Sequence, residues 1–596
     1  MRQVLISLSL LFGVVACTEP DSASSHPDVK PAWLTAQSAR QAMAKGELTS
    51  EQLVTYYLQQ IDSHNTAGYQ LAAISDINPD AIMQARQLDA ERREGKLRSA
   101  LHGLPVVLKA NIATADTMPT TAGALALQGH LTPRDAILVS QLRAAGAVIL
   151  AKTNLSEWAN FRGEKSASGW SALGGQVRNP HLLTHTPCGS SSGSGVAVAA
   201  DFTLLAVGTE TDGSITCPAA INGIVGIKPT RDAVSGEGII PIAASQDIAG
   251  PMARTVYGAA MLLDALATPA AKNRFSVSLA EAAGQAPTAK KVLLVRAYDQ
   301  REAALPAILD NLATELSAAG IEVVQADQWQ LPAELYQAEL KVLVYEFKRD
   351  LERWLTEYNV AADRDSLSEI ISFNQAQGEA ALAFYGQEYL ERAAAIDLTE
   401  HLADYQQALT SSRQLAEAAL DQYLREQGFD AIILPSYGPA WPIDHVNGDA
   451  FNFGTSTAAA VAGYPSVTIP AGYSGVLPLG VSLVGLPWSE PELLALASLL
   501  EQQLAAYQRP GFVAEHSTAL AAPAQPHQHD HAQHSAVQQS QVTRQSPLQQ
   551  LSSANQQAAV YTCSMHPHVR SENPDDRCPI CGMALIPVEV DPPTAS

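Results

Sequence analysis

The chain has 596 residues, of which 46% are hydrophobic and 16% are charged, so it is long enough to form a large globular core. Its 37 basic and 60 acidic residues give a net charge of −23, which excludes nucleic-acid binding as a principal function because phosphates would meet no positive surface. Six cysteines in so long a chain also exclude a small disulfide scaffold.

The first segment of the chain has the pattern of a secretion signal. Arg2 precedes an apolar run at 4–15, and small residues then lead to Cys17. This pattern resembles a bacterial lipoprotein signal: residues 1–16 would be removed, Cys17 would carry lipid, and residues 17–30 would form a polar tether. An ordinary cleaved signal peptide is the alternative, and the run is too short for a transmembrane helix. We expect a protein of the bacterial cell envelope, held at the periplasmic face of the outer membrane by its lipid anchor alone.

Helical and extended patterns alternate from residue 31 onward. A helix is predicted after Thr49, because Gln52 completes a capping box and Leu53, Tyr57 and Ile61 share one face. Six short apolar runs predict buried strands, at 104–108, 147–150, 204–207, 292–295, 431–434 and 466–469. Such strands separated by helices predict an α/β fold, in which helices cover both faces of a central sheet. Charge-rich helical segments over 305–427 predict a helical insertion.

The densest motif is a loop rich in glycine and serine at 187–195, with the sequence PCGSSSGSG. It contains a literal G-x-S-x-G match centred on Ser191, but a nucleophile elbow follows a buried strand, and the segment before this loop is polar and contains prolines. A phosphate-binding loop is also excluded, because no Lys-Ser or Lys-Thr pair follows the glycines. By itself, the loop indicates a tight turn.

Two further segments accompany this loop. The sequence GTETDGSI at 208–215 follows a predicted strand and contains Ser214. Lys109 ends the predicted strand at 104–108, where burial would disfavour its charged form. Cys188 and Cys217 lie beside these segments, and because neither is paired with a base, we expect both to be small buried packing residues.

Together, Lys109, the loop at 187–195 and the turn at 213–214 resemble the amidase signature family, and the resemblance extends over 31–514. Segments 152–163, 209–222 and 245–252 are most similar to bacterial peptide amidases. The resemblance implies a mixed central sheet with a helical insertion. It also implies hydrolysis of carboxamides, C-terminal peptide amides in particular, with release of ammonia. The common family pattern has Gly-Gly before the nucleophile and Lys-Asp at the base, whereas this chain has Asp212-Gly213 and Lys109-Ala110.

The same resemblance implies the catalytic roles. Ser214 would be the nucleophile, Lys109 the base, and Ser190, preceded by a cis peptide bond, the serine that bridges them. The oxyanion hole would be formed by backbone N–H groups of Thr211, Asp212 and Gly213, with that of Ser214. A serine hydroxyl needs a neighbour that accepts its proton, and a buried lysine that is neutral near pH 7 can do this. The substrate would be a small-molecule or peptide amide, and no cofactor would be needed.

The amino-acid composition of the chain changes after residue 514. Residues 515–558 are rich in Gln and His and contain no aromatic side chain, which predicts a disordered linker. Residues 559–590 resemble the heavy-metal-binding domain found on metal efflux proteins. The ligands would be Cys563, Met565, His566, Cys578, Cys581 and Met583, a soft donor set that favours Cu(I) or Zn. In an oxidising compartment the alternative is a disulfide between Cys578 and Cys581.

Two classes of function remain open at this point. The first is an envelope amidohydrolase with an appended domain for a soft metal ion, and the complete set of Lys109, Ser190 and Ser214 favours it. The alternative is a metal-binding or sequestering lipoprotein whose amidase domain is inactive. A third possibility, a component of a transamidosome that acts on aminoacyl-tRNA, conflicts with the signal segment and with the negative charge.

Overall fold

A computed structural model of the chain describes residues 30–514 and, beyond them, three short strands, Tyr561–Thr562, Arg570–Ser571 and Ile586–Pro587. The chain divides into two units, Met1–Thr518 and Ala519–Ser596. In the second unit the three short strands form one antiparallel sheet. The predicted signal at 1–16, Cys17, the linker at 515–558 and the six predicted metal ligands lie outside the described residues.

The first unit contains a mixed sheet of eleven strands and a separate two-stranded hairpin. The strands, numbered in chain order, are β1 (Ile74–Ile77), β2 (Pro105–Lys109), β3 (Val148–Thr153), β4 (Trp170–Ser171), β5 (Gly175–Gln176), β6 (Leu205–Glu210), β7 (Val225–Lys228), β8 (Ile248–Ala253), β9 (Lys291–Val295), β10 (Glu322–Ala326), β11 (Ala431–Pro435), β12 (Ser466–Ser474) and β13 (Leu477–Val484). Strands β4 and β5 form a separate hairpin, and the spatial order of the others is β1-β3-β2-β6-β8-β7-β12-β13-β11-β9-β10.

Strand β2 runs parallel to β3 and β6, and β9 runs parallel to β10 and β11, whereas the other neighbouring pairs are antiparallel. Strands β2, β3, β6, β8, β11 and β13 are buried at every position. Because successive side chains of a strand point to opposite faces, both faces of the sheet are covered. The predicted α/β fold with a mixed central sheet is confirmed.

The helices that surround this sheet vary in length from one turn to seven. The α-helices of residues 30–514 are α1 (Ala36–Ala44), α2 (Ser50–His64), α3 (Ala81–Arg93), α4 (Ile137–Ala144), α5 (Ser192–Ala199), α6 (Thr216–Ile221), α7 (Val256–Leu266), α8 (Pro269–Phe275), α9 (Leu279–Ala282), α10 (Leu305–Ala318), α11 (Ala333–Glu357), α12 (Leu367–Gln377), α13 (Glu379–Leu382), α14 (Glu388–Ala394), α15 (Leu402–Leu424), α16 (Thr457–Ala462) and α17 (Glu490–Leu504). None of these helices is both long and apolar enough to span a membrane.

All six predicted strands are present, as β2, β3, β6, β9, β11 and β12. The helix predicted after Thr49 is α2, and the capping box between Thr49 and Gln52 is formed. The predicted helical insertion over 305–427 needs a correction, because β10 interrupts it and pairs with β9. Strand β10 lies at the end of the sheet and is only partly buried, so it lacks the continuous apolar run that marks the central strands.

Candidate active site

The pairing of β2 with β6 brings the predicted catalytic segments together. The two strands are parallel neighbours with Leu108 opposite Val207, so their carboxyl ends lie at the same edge of the sheet. Lys109 ends β2, and the turn that carries Ser214 follows β6. Open α/β sheets commonly form their ligand sites beyond the carboxyl ends of the strands.

At this edge the three predicted catalytic residues form one chain of hydrogen bonds. The Lys109 Nζ lies 2.7 Å from the Ser190 Oγ, which in turn lies 3.0 Å from the Ser214 Oγ. Lys109 and Ser190 are fully buried, and Ser214 is 7% exposed. The peptide bond between Gly189 and Ser190 is cis, as the family resemblance implied. The three residues that the sequence predicts to act together are therefore in contact in the folded chain.

Thr209 holds the lysine in place, a role that the sequence did not reveal. The Lys109 Nζ donates to the Thr209 Oγ1 at 2.8 Å and to the Thr209 carbonyl oxygen at 3.1 Å. Asn111 fixes this threonine, since its Nδ2 donates to the same Oγ1 at 3.1 Å. In the neutral amine, the two N–H groups can serve Thr209 while the lone pair faces Ser190. These contacts explain how Lys109 is oriented although Ala110 replaces the common aspartate.

Burial also sets the ionisation of this lysine. Desolvation lowers the pKa of Lys109 to about 7, and the negative charges of Asp247 and Glu210 oppose that shift. Near neutral pH a large share of Lys109 is therefore an uncharged amine, which can accept a proton.

The turn that carries Ser214 is fixed from both sides. Glu210 lies in β6 and accepts hydrogen bonds at its Oε2 from the backbone N–H groups of Ile215, at 2.7 Å, and Thr216, at 2.9 Å. Gly213 has φ of +79°, and a Cβ there would lie 2.1 Å from the Tyr437 hydroxyl, so both conformation and space require glycine. The sequence did not reveal this contact of Glu210, although the residue lies in the motif that contains Ser214.

The predicted oxyanion hole has free donors. Within residues 30–514, no hydrogen bond uses the backbone N–H groups of Thr211, Asp212 or Gly213. The Asp212 carboxylate points elsewhere and accepts from the Ser456 Oγ at 2.5 Å and the Thr457 Oγ1 at 2.7 Å. Burial raises the pKa of Asp212 above its usual range. A developing negative charge beside this turn would therefore meet unengaged N–H groups, as oxyanion stabilisation requires.

A cavity of about 260 Å³ opens beside these groups. Its wall includes Gly189 and Gly213, which precede Ser190 and Ser214 in sequence. Polar side chains such as Asp449 line it together with four aromatic side chains, Tyr336, Tyr437, Trp441 and Phe451. The cavity can accept an amide whose acyl part is apolar or aromatic, because such groups pack well against aromatic rings.

Cys188 and Cys217 also line this cavity, and they form a disulfide with a Cα–Cα distance of 6.0 Å. The prediction that both residues are buried is correct, because they are 6% and 2% exposed. The prediction that they are separate packing residues is wrong. They are 29 residues apart in sequence, and the contact arises only when the loop at 187–195 packs against α6.

Protein-family models, known proteins and solved structures all include matches to this chain. Residues 52–494 match the family model described as amidase, and residues 560–588 match that of the heavy metal binding domain. A probable amidase of Arabidopsis thaliana is 35% identical over 80% of this chain and 92% of its own length. A putative amidase of Schizosaccharomyces pombe is 32% identical over 79% of this chain and 85% of its own length. The X-ray structure of native peptide amidase from Stenotrophomonas maltophilia matches with a TM-score of 0.75 and 44% identity, over 81% of this chain and 99% of that one.

Proposed function

This chain belongs to the amidase family and is a hydrolase acting on amides, and we propose that it releases ammonia from C-terminal peptide amides. The observation that carries the proposal is the unbroken hydrogen-bonded chain from Lys109 through Ser190 to Ser214. This chain of groups can move a proton away from the Ser214 hydroxyl while that oxygen attacks a carbonyl carbon.

In the proposed acylation step, the Ser214 Oγ bonds to the amide carbon and its proton passes to Ser190. The Ser190 hydroxyl proton passes in turn to the neutral Lys109. The carbonyl oxygen becomes an oxyanion that accepts hydrogen bonds from the backbone N–H groups of residues 211–213. The C–N bond then breaks, and the proton returns from Lys109 through Ser190 to the departing nitrogen, which leaves as ammonia.

In the second step, water takes the place of ammonia. It gives a proton to the same relay and attacks the Ser214 ester, and the returning proton restores the Ser214 hydroxyl as the carboxylic acid leaves. Enzymes of this family need no cofactor. The same relay thus serves both half-reactions, because Ser190 and Lys109 take up and return the proton in each.

Two observations support a peptide amide as the substrate. The matched peptide amidase shares 44% identity with this chain across almost its entire length. The cavity lined by Gly213 has four aromatic side chains in its wall, which suit the side chains of a peptide. The alternative of an inactive amidase domain has no support, because Lys109, Ser190 and Ser214 are all present and in contact.

Ammonia release from defined amides tests this proposal. We would incubate the purified full-length protein with an N-acylated dipeptide amide and measure ammonia and the free-acid peptide together. The matched substrate control is the dipeptide methyl ester, which reports acylation by Ser214 but releases methanol. Equal amounts of ammonia and acid are expected, and ester cleavage without amide cleavage would contradict the amidase assignment.

We further propose that the protein is lipid-anchored in the cell envelope. The signal-like segment at 1–16 and Cys17 support this location. The disulfide between Cys188 and Cys217 gives independent support, because disulfides persist mainly in oxidising compartments outside the cytosol.

Replacing Cys17 with alanine should therefore abolish lipid labelling and shift the protein from the membrane to the soluble fraction. The physical reason is that acyl chains supply the membrane affinity and need the Cys17 thiol for attachment. Radiolabelled fatty acid incorporation and fractionation measure both effects. Membrane association that is unchanged in Cys17→Ala would rule out this anchor.

For the domain at the C-terminus we propose binding of one soft metal ion, Cu(I) or Zn, by the cysteine, methionine and histidine side chains of 563–583. The full-length double variant Cys578→Ser/Cys581→Ser should lose stoichiometric metal, because serine hydroxyls are poor ligands for soft ions. Elemental analysis after separate loading with each metal measures this. Undiminished binding of both metals in the double variant would contradict the ligand set.

A further inference from the structure

We infer that the disulfide between Cys188 and Cys217 is a positioning element of the relay: it keeps Ser190 within hydrogen-bond distance of Ser214, so that opening it slows acylation while the domain stays folded. This inference rests on the proposed function.

The two half-cystines flank the two serines directly. Cys188 comes two residues before Ser190, and Cys217 comes three residues after Ser214. The disulfide therefore closes a small ring, whose opposite side is the 3.0 Å hydrogen bond between the two serine hydroxyls. Because only a few residues separate each cysteine from its serine, opening the disulfide acts directly on the distance between the two serine hydroxyls.

On the Ser190 side, the disulfide joins a loop with an unusual backbone conformation. Cys188 itself has φ of +56°, a left-handed conformation that non-glycine residues rarely adopt. Its backbone is held within the loop by Thr186, whose Oγ1 accepts from the Cys188 N–H at 3.1 Å, and by Ser192, whose Oγ donates to the Cys188 carbonyl at 2.6 Å.

Other contacts also join this loop to the nucleophile side. The backbone N–H of Ser191 donates to the Ser214 carbonyl at 3.1 Å, and the Asn222 Nδ2 donates to the Pro187 carbonyl at 2.8 Å. The Ser191 Oγ donates to the Thr209 carbonyl at 3.0 Å and accepts from the Thr209 N–H at 3.2 Å. These hydrogen bonds would remain after the disulfide opens. We therefore expect a graded loss of activity and a retained fold, since misplacing catalytic groups by about 1 Å can cost about 100-fold in rate.

Reduction can also reach this bond. Both cysteines line the cavity beside Gly189 and Gly213, so a small dithiol that enters the cavity meets them. One thiolate of the dithiol attacks a protein sulfur and forms a mixed disulfide, and the second thiol displaces the remaining protein sulfur. The products are two protein thiols and one oxidised, cyclic dithiol, so two electrons pass from the reagent to the protein.

The test compares three full-length proteins: wild type, Cys188→Ser/Cys217→Ser and Cys188→Ala/Cys217→Ala. The alanine pair removes the link without placing hydroxyls in the cavity. Both double variants should lose about 10-fold to 100-fold in kcat for a peptide amide, with KM changed less than about threefold. The rate at which a fluorophosphonate labels Ser214 should fall by the same factor, because it depends on the same proton transfer. If kcat and labelling are unchanged and only Tm falls, the disulfide is merely structural and the inference is wrong.

Two further measurements keep the inference testable. If the variants do not fold, dithiol-reduced wild type serves instead, and alkylation of one part of the sample, verified by mass spectrometry, shows that the thiols at 188 and 217 are free. The activity of the unalkylated part should fall and then return on reoxidation, and full activity with both thiols alkylated would overturn the inference. Folded double variants should not respond to the dithiol, which controls for the cysteines at 17, 563, 578 and 581. If the wild type labels with fluorophosphonate yet releases no ammonia, the proposed function fails while the labelling rates still test the disulfide.

Discussion

Ser214→Ala is expected to abolish the acyl-enzyme and to lower kcat for peptide amides by at least about 10⁴-fold. The alanine has no oxygen to attack the carbonyl, and the nearest relay hydroxyl, that of Ser190, is fully buried 3.0 Å behind it. The variant would still bind substrate and stabilise the oxyanion. Its only nucleophile would be a water molecule that no residue holds in position. Ammonia release measures the loss, and mass spectrometry of protein quenched during turnover of a slow ester detects the adduct on the wild type alone.

A serine from the neighbouring loop at 187–195 provides the matched control. Ser194 is fully buried, and its Oγ contacts the Thr153 Oγ1 at 2.9 Å and the Val207 carbonyl at 3.3 Å, away from the relay. Ser194→Ala should cost some stability and leave kcat within a few-fold of the wild type. A Ser214→Ala protein that keeps more than about one per cent of wild-type activity would show that another group is the nucleophile.

The three residues of the proposed relay could be predicted from sequence because each lies in a short, distinctive motif. Thr209 and Glu210 lie in the same motif as Ser214, yet the motif does not reveal their contacts. Thr209 contacts Lys109, 100 residues away in sequence, because β6 pairs with β2. Glu210 accepts hydrogen bonds from backbone N–H groups five and six residues ahead, because the chain turns back after β6. The disulfide was missed for the same reason, since its two cysteines are brought together by packing and not by spacing.

The strands also fall into those that the sequence predicts and those that it does not. Strands β2, β3 and β6 were predictable because each contains an uninterrupted apolar run. Strands β8 and β13 were missed although every residue in them is buried, since β8 contains Gly250 and Pro251 and β13 contains Pro478 and Gly480. Glycine and proline disfavour strands locally, and here pairing with neighbours in the middle of the sheet outweighs that preference.

Lys109→Ala should produce the second large effect, a loss in kcat of about 10²-fold to 10⁴-fold at pH 7.5. In the wild type, burial lowers the pKa of Lys109 to about 7, so activity should increase as pH rises through that value and the neutral amine forms. The alanine variant should lose this dependence. Its loss should be smaller at alkaline pH, where hydroxide can partly replace the missing base. Because the residues act as a unit, Lys109→Ala/Ser190→Ala should be barely worse than the poorer single variant.

Another buried group could produce a similar pH dependence and must be tested beside the lysine. Burial raises the pKa of Asp247 to about 7, and its carboxylate accepts a hydrogen bond from the Thr211 Oγ1 at 2.5 Å. Asp247→Asn removes this ionisation and leaves Lys109 in place. If the rise in activity near pH 7 disappears in Asp247→Asn and persists in the residual activity of Lys109→Ala, the base assignment is wrong.

Thr209→Val tests whether Lys109 must be held in position, because this variant keeps the lysine and removes one of its hydrogen-bond partners. Valine has nearly the same volume but cannot accept the 2.8 Å hydrogen bond from the Lys109 Nζ. That bond favours the charged lysine, so its loss should lower the pKa further and move the rise in activity to lower pH. At the same time kcat on the plateau should fall about tenfold, because the amine is no longer held against Ser190. A plateau that falls while the pH dependence does not move would mean that Thr209 acts on the fold alone, and that Lys109 does not cause the ionisation seen in the profile.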